Sequence, residues 1–298
     1  MGLTHSPLRY PGGKSVLSPF LGKYIEINNL SDGIYIEPYA GGAGAALKLL
    51  FSEYVQKIVL NDADINIFTF WSSILNNTDE FIKLIRDTSI TIEEWHLQRY
   101  IFNNPLEFSS LQVGFSTFFL NRCNRSGILY AGPIGGQSQF SELSLNVRFN
   151  KNNLIKKIEK IALYKSRISV YNEDALDFLE THISSLSKKF NRVFVYLDPP
   201  YYAKGSQLYL NYYDHKDHVS LSEYIIKQKK YKWIISYDDV PEIKQLYSNF
   251  KKAVFSLNYF VYKARVGKEI IIYCPDSKIP DQELFNLDKT IICHVLST

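Results

Sequence analysis

The stretch IYIEPYAGGAGAALKLLFSEYVQKIVLND, residues 34–62, decides the fold. It opens on a short apolar run, IYIEPYA (34–40), that reads as a buried strand running into the glycines of 41–44. Ala45 to Phe51 then carry apolar residues at helical spacing. KIVLND (57–62) is a second strand ending on acidic residues, and IFTFWSSIL (67–75) an apolar helix after it. Strand, glycine loop, helix, strand, helix is the opening of a parallel α/β sheet.

Working outward, the pattern stops and later resumes. Residues 76–150 carry helical runs (FIKLIRD, EEWHLQRYIF, GFSTFFLNR) followed by SGILYAGPIGGQSQFSELSLNVRFN, rich in Gly, Ser, Asn and Gln. An inserted, mostly helical segment ending in a polar loop or hairpin is expected there. After 150 the α/β signal returns: helix 153–165, strand 167–174, helix 175–186, and the strand RVFVYLDPPYY (192–202), stopped by two prolines. HVSLSEYIIKQ reads as a further helix, with KWIISY and EIIIYC (269–274) as further strands.

Composition bounds the rest. The 298 residues are 46% hydrophobic and 21% charged, enough apolar material for a sizeable core and too much for wholesale disorder. This length suits two domains or one domain with a large insert. Lys+Arg minus Asp+Glu is 34 − 30 = +4, which permits a polyanionic partner without demanding one. Three widely spaced cysteines (Cys123, Cys274, Cys293) form no CxxC, so neither a disulfide framework nor a structural zinc site is expected. The residues after Met1, GLTHSPLRYPGGK, hold no apolar leader region, and no run of some 18 apolar residues suggests a membrane span.

The sharpest chemical feature is LDPPYY (197–202). A hydrophobic strand delivers Asp198 to its carboxyl end, where open α/β sheets place ligand crevices. Pro199 and Pro200 fix the backbone and offer carbonyls but no N–H. The Asp198 carboxylate, the Pro199 carbonyl and the Tyr201 ring suit a planar amine with two N–H donors; a strand ending in a capped turn is the plainer account.

The glycine turn EPYAGGAG (37–44) permits close approach to a nucleoside-type ligand. The dinucleotide fingerprint fails at Leu47, while Asp62, about 20 residues on, suits two ribose hydroxyls. RYPGGKS (9–15) ends like a phosphate loop, but the required first glycine is Leu8; Lys14 suits a ligand carboxylate instead. In LNRCNRSGILYAGPIGG (120–136), Arg122 and Arg125 suit phosphates or guanine edges, and Asn121 and Asn124 adenine edges or phosphate. His215 and His218 lack a third metal ligand nearby, and helix starts at Asp214 or Asp217 explain that region better.

Taken in order, RYPGGK, YIEPYAGGAG, VLND, FFLNRCNRSGI and VYLDPPYY resemble the adenine-N6 DNA methyltransferases of the D12 (Dam-like, alpha-order) class. DHKDHVSLSEYI, KWIISYDDVPEI and ARVGKEIIIY echo it more weakly, and the likeness covers about 8–275. The resemblance implies a Rossmann-like class I sheet, S-adenosylmethionine as cofactor, double-stranded DNA as substrate, and no metal. It implies a catalytic domain of residues 1–75 and 151–298, with 76–150 as an inserted target-recognition domain. Carried over by position, Tyr10 and Lys14 should lie against the cofactor. Glu37, Gly41 and Gly42 should line its methionine end, Asp62 should hold its ribose, and Asp174 should lie near its adenine. Asp198, Pro199, Pro200 and Tyr201 should form the catalytic corner, and Asn121, Arg122, Asn124 and Arg125 should meet DNA. Ala43 stands where the family often has glycine, and the hairpin 131–149 matches loosely.

The resemblance further implies a cytoplasmic enzyme of bacterial or phage origin; a separately acting cognate restriction endonuclease and an orphan role both stay open. Cytosine-N4 transfer, or a DNA-binding module of the same fold without catalysis, are the competing readings.

Overall fold

Strand β1 (Ile34–Glu37) sends Tyr35 to one face of the sheet and Ile34 and Ile36 to the other. Strand β4 (Val193–Leu197) repeats this, with Phe194 and Tyr196 opposed to Val193, Val195 and Leu197. The period of two is that of a pleated strand, and both faces are apolar because helices cover both. The computed structural model describes residues 4–9, 14–203, 213–260, 264–281 and 291–296.

With β2 (Lys57–Asn61), β3 (Ile168–Tyr171), β5 (Lys232–Asp238), β6 (Lys252–Phe260), β7 (Ala264–Tyr273) and β8 (Ile291–Leu296), the sheet runs β3-β2-β1-β4-β5-β7-β6-β8. Strands β1 to β5 are parallel; β7 pairs antiparallel with β5 and with β6, and β6 pairs antiparallel with β8. The direction of winding reverses between β1 and β4, and at such a switch point the loops beyond the two strands diverge and leave a crevice. The expected Rossmann-like α/β architecture is present, with an antiparallel edge after β5.

One face carries α1 (Ser18–Ile27), α2 (Gly44–Phe51), α3 (Ile65–Asn76), α4 (Thr78–Asp87), α5 (Ile92–Asn103), α6 (Ser110–Cys123) and α7 (Lys151–Leu163). The other carries α8 (Ala175–Lys189), α9 (His215–Ile226) and α10 (Pro241–Leu246). Side-chain caps set several of the starts. Asp64 accepts from the Asn66 amide, Asp174 from those of Leu176 and Asp177, and Asp214 and Asp217 form a reciprocal box.

The 76–150 segment is helical over α4 to α6, as expected, but its core is continuous with that of the sheet. Phe70 of α3 stacks on Phe118 of α6 with ring centroids 6.1 Å apart, and Phe81 of α4 meets Phe118 edge-on at 5.5 Å. At Gly114 a Cβ would lie 2.5 Å from Ser73 Oγ and 2.8 Å from the Thr69 carbonyl, so only glycine lets α6 lie this close to α3. Beyond α6 the chain forms a polar loop rather than a hairpin. Its regular structure is a single bridge between Asn124 and Pro133 and one-turn 3-10 helices at Arg125–Gly127 and Leu145–Arg148.

Candidate functional site

The carboxyl ends of the parallel strands open into a cavity of about 750 Å³. Glu37 ends β1, Asp62 follows β2, Asp174 follows β3 and Asp198 follows β4; all four line it. Opposite them lie Arg9 and the loop residues Gly127 to Tyr130.

At the β1–β2 end, the glycine turn is fixed by side chains around it. The Gly41 amide donates to Asp62 Oδ2 at 2.8 Å, and Trp71 Nε1 donates to the Gly41 carbonyl at 2.9 Å. Gly41 has φ +45°, the left-handed region, and so does Ala43, which caps the start of α2. Asp62 Oδ1 accepts from the Asp64 amide at 3.0 Å. Burial, with the nearby Asp64 charge, pushes the Asp62 carboxyl up to about 7. Glu37 Oε1 accepts from the Tyr35 hydroxyl at 3.0 Å and the Ala46 amide at 3.1 Å. Burial, aided by the Asp198 charge, raises it to about 8. Two buried carboxyls that form no ion pair among the described residues suit a ligand that brings a cationic amine and hydroxyl donors.

At the β4 end the order of partners differs from the sequence reading. Lys14, 6% exposed, sets its Nζ 2.9 Å from Asp198 Oδ1, so its charge serves the aspartate. Ser236 Oγ donates to the same Oδ1 at 2.7 Å, and Tyr196 shares a hydrogen bond with Ser236 at 2.8 Å. Pro200 lines the cavity and Pro199 is buried. Tyr201 does not line the cavity with them: it is 9% exposed, and its hydroxyl accepts from Lys14 and donates to Glu269. Among the described residues, the aromatic ones on the cavity wall are Tyr39, Tyr130, Tyr196 and Tyr213.

Gly42 and Asp174 line the cavity, Asp174 also capping α8. Tyr10 lies outside the described residues. The two asparagines expected at DNA are a correction: both are fully buried. Asn121 Oδ1 accepts from the Arg9 amide at 2.6 Å, and its Nδ2 donates to the Arg9 and Gly127 carbonyls. Asn124 Oδ1 accepts from Trp95 Nε1 at 2.7 Å, and its Nδ2 donates to the Ile128 and Leu129 carbonyls. Each amide is saturated by backbone and indole, so these residues fasten the loop instead of reading bases. Arg122 is partly buried with Nε unbonded, and Arg125 is exposed over Gly132.

The sequence reading missed Ser236, Tyr196 and Glu269 behind Asp198, and Arg9, Arg148 and Lys157 around Arg122. Glu269 carried a signal, a lone acid opening the apolar run EIIIYC.

Among the described residues no cluster of three His, Cys, Asp or Glu is placed to hold a metal, and no helix is long and apolar enough to cross a membrane. Among solved structures the chain is similar to a dimethyladenosine transferase from Plasmodium falciparum (12% identity, 94% of this chain and 66% of that one, TM-score 0.36). It is also similar to M. capricolum TrmK in complex with S-adenosyl-homocysteine (8% identity, 90% and 78%, TM-score 0.34). A third is the rRNA methyltransferase aviRa from Streptomyces viridochromogenes (9% identity, 89% and 86%, TM-score 0.38). Likenesses this loose carry no argument. No curated protein matches the sequence. The family model for D12 class N6 adenine-specific DNA methyltransferases, by contrast, matches residues 10–259. The chain belongs to that class, and its reaction is transfer of a methyl group from S-adenosylmethionine to the N6 amino group of adenine in DNA.

Proposed function

We propose that Asp198 is the group that grips the adenine amino nitrogen, on a base turned out of the duplex into the cavity. The carrying observation is that Asp198 and the Gly41–Asp62 turn line one cavity at the strand switch point. An exocyclic amine conjugated to its ring is a poor nucleophile, because its lone pair is delocalised. A carboxylate and the Pro199 carbonyl accepting both N–H bonds favour a pyramidal nitrogen with an available pair. Lys14 and Ser236 hold the Asp198 carboxylate in one orientation, so the acceptor is in place before the base arrives.

In this reading Glu37 takes the ammonium of S-adenosylmethionine, Asp62 its ribose hydroxyls, and Asp174 lies near its adenine. When bound, that cofactor supplies a methyl group already activated by the sulfonium charge. A base inside a duplex is unreachable at such a depth, and turning it out costs a few kcal/mol.

In the same reading, residues 1–75 and 151–298 form the catalytic part and 76–150 the part that recognises DNA. Arg9, Arg122, Arg148 and Lys157 supply the phosphate contacts, with Arg125 beside them. Burial, with the positive neighbours Arg9 and Arg148, brings Arg122 down to about 10. Burial and Arg122 bring Lys157 down to about 8. None of these four cations forms a salt bridge among the described residues, and a polyanion supplies what they lack. A bacterial or phage-infected cytoplasm, with an endonuclease reading the same site, is the setting this chemistry suits.

The test is methylation of plasmid DNA with labelled cofactor, followed by sequencing that detects modified adenine. Asp198→Ala is expected to abolish transfer while keeping duplex binding. Turnover like that of the native protein in this variant would refute the role given to Asp198.

A further inference from the structure

Behind Asp198 lies a second carboxylate that the reaction above leaves without a task. Glu269, on β7 beside β5, is 1% exposed. Lys14 Nζ stands between the two acids, 2.9 Å from Asp198 Oδ1 and 3.5 Å from Glu269 Oε1. Tyr201 donates its hydroxyl to Glu269 and receives a hydrogen bond from Lys14 at 3.2 Å. Glu269 Oε2 is buried and has no hydrogen-bond partner among the described residues.

We propose that Glu269 holds the proton that leaves the adenine amino group, receiving it from Asp198 through Lys14. The inference rests on the placement of the base at Asp198 argued above. As the N6 lone pair forms its bond to the methyl carbon, the carbon–sulfur bond breaks and its electron pair stays on sulfur. The nitrogen then carries one proton too many, and Asp198 takes it. Lys14 accepts that proton from Asp198 while giving one of its own to Glu269. Asp198 is again a carboxylate and Lys14 again an ammonium, and only Glu269 has changed.

The charge balance of the cluster favours this destination. Among the described residues, two carboxylates around one ammonium leave an uncompensated negative charge, and one added proton removes it. Asp198 opens onto the cavity with its side chain 24% exposed and donors at 2.7 and 2.9 Å on one oxygen, whereas the Glu269 side chain is 1% exposed. Among the described residues, the other titratable groups facing Glu269 are Tyr201 and, from β4, Tyr196. Its register neighbours are Phe255 on β6 and, on β5, Asp238, whose carboxylate is bonded to the Tyr202 and Ala203 amides. Burial lifts the Glu269 carboxyl to about 7, between an ordinary acid and the lysine that would feed it.

Glu269 therefore acts through Lys14 as a positioning residue, and its signature is a pH profile. Single-turnover methylation by the full chain is measured against pH for the native protein, Glu269→Gln and Glu269→Asp. The native rate should rise with pH through neutrality. Glu269→Gln should lose that inflection and fall about 10²-fold at high pH, the low end of what a proton acceptor supplies. Glu269→Asp should be slower but keep an inflection. Infrared titration of the protein without DNA or cofactor should show carboxyls titrating near neutrality, one of which shifts in Glu269→Asp and persists in Glu37→Gln and in Asp62→Asn.

A native-like rate and inflection in Glu269→Gln overturns the proposal. If Glu269→Gln does not fold, loss of the inflection in Glu269→Asp, or an unshifted infrared band, overturns it equally. Native protein that makes no N6-methyladenine sinks the functional reading itself. N6-methyladenine made with a profile indifferent to Glu269 sinks this inference alone.

Discussion

The Lys14 ammonium and the Asp198 carboxylate, 2.9 Å apart, join two segments separated by most of the sequence. Removing the lysine takes away the cation that, among the described residues, pairs with both Asp198 and buried Glu269. Lys14→Ala is expected to lower the methylation rate by at least about 10²-fold, and to destabilise the fold by about 3 kcal/mol for the uncompensated pair. Single-turnover kinetics and denaturant unfolding read the two effects separately. A variant with unchanged stability would show that the pair is not buried in solution.

Stability should fall as pH rises. Glu37 is held up to about 8, Asp62 to about 7 and Glu269 to about 7, so each binds its proton more tightly folded than unfolded. Their contribution is fully present below the ordinary carboxylate range and is lost as pH climbs through 7 to 8. Thermal unfolding from pH 5 to 9 should show this slope, and Glu37→Gln should flatten it. Added S-adenosylmethionine should flatten it too, because an ammonium at Glu37 favours the charged form.

Two substitutions in left-handed backbone should act in opposite directions. Ala43 sits at φ +45°, where a Cβ costs about 1–2 kcal/mol; glycine's extra unfolded-state entropy returns about 0.5–1. Ala43→Gly is thus expected to stabilise by about 0.5 kcal/mol. Gly127 has φ +75°, and a Cβ there would lie 2.3 Å from the Arg9 carbonyl. Gly127→Ala should therefore destabilise by about 2 kcal/mol or more. Chemical denaturation of both variants checks the pair.

Asn121→Ala distinguishes a structural asparagine from a DNA-reading one. Three hydrogen bonds link this side chain to Arg9 and Gly127, and its loss strands their backbone groups. Unfolding should shift by about 2–4 kcal/mol. Near-native stability with weakened DNA binding would show that Asn121 reads DNA instead of fastening the loop.

Binding to duplex DNA should weaken with salt, and Arg122→Ala and Arg148→Ala should each reduce the slope of log K against log[salt] by about 1. The loss should be similar on cognate and unrelated sequences, because phosphates carry no sequence information. Fluorescence anisotropy titrations over a range of salt concentrations measure it. A loss confined to the cognate site would make either arginine a reader of bases.

The parallel half of the sheet was legible because β1, β2, β4 and β5 are short apolar runs ending at glycine, proline or acidic residues. The glycine turn, Asp62 and Asp198 were legible for the same reason, since each sits where a strand must stop. What escaped were β6 and β8, which lack such punctuation, the proline-led helices α1 and α10, and all partners set by distant sequence. Lys14 read as a ligand for the cofactor because nothing in RYPGGK announces Asp198 or Glu269. The asparagines of LNRCNRSG read as exposed because a polar string looks the same whether it meets water or the carbonyls of its own loop.

Gly114 lets α6 settle onto α3 so closely that not even a methyl group fits at that position. Transplanting all of 76–150 from a relative of different specificity would import a foreign α6 into the Phe70–Phe118 stack and unsettle the enzyme it was meant to retarget. With recognition proposed for the polar loop, chimeras are better spliced after α6, at the Asn124 clasp, and keep Phe149, whose ring meets Phe118 at 5.4 Å and Phe119 at 5.6 Å.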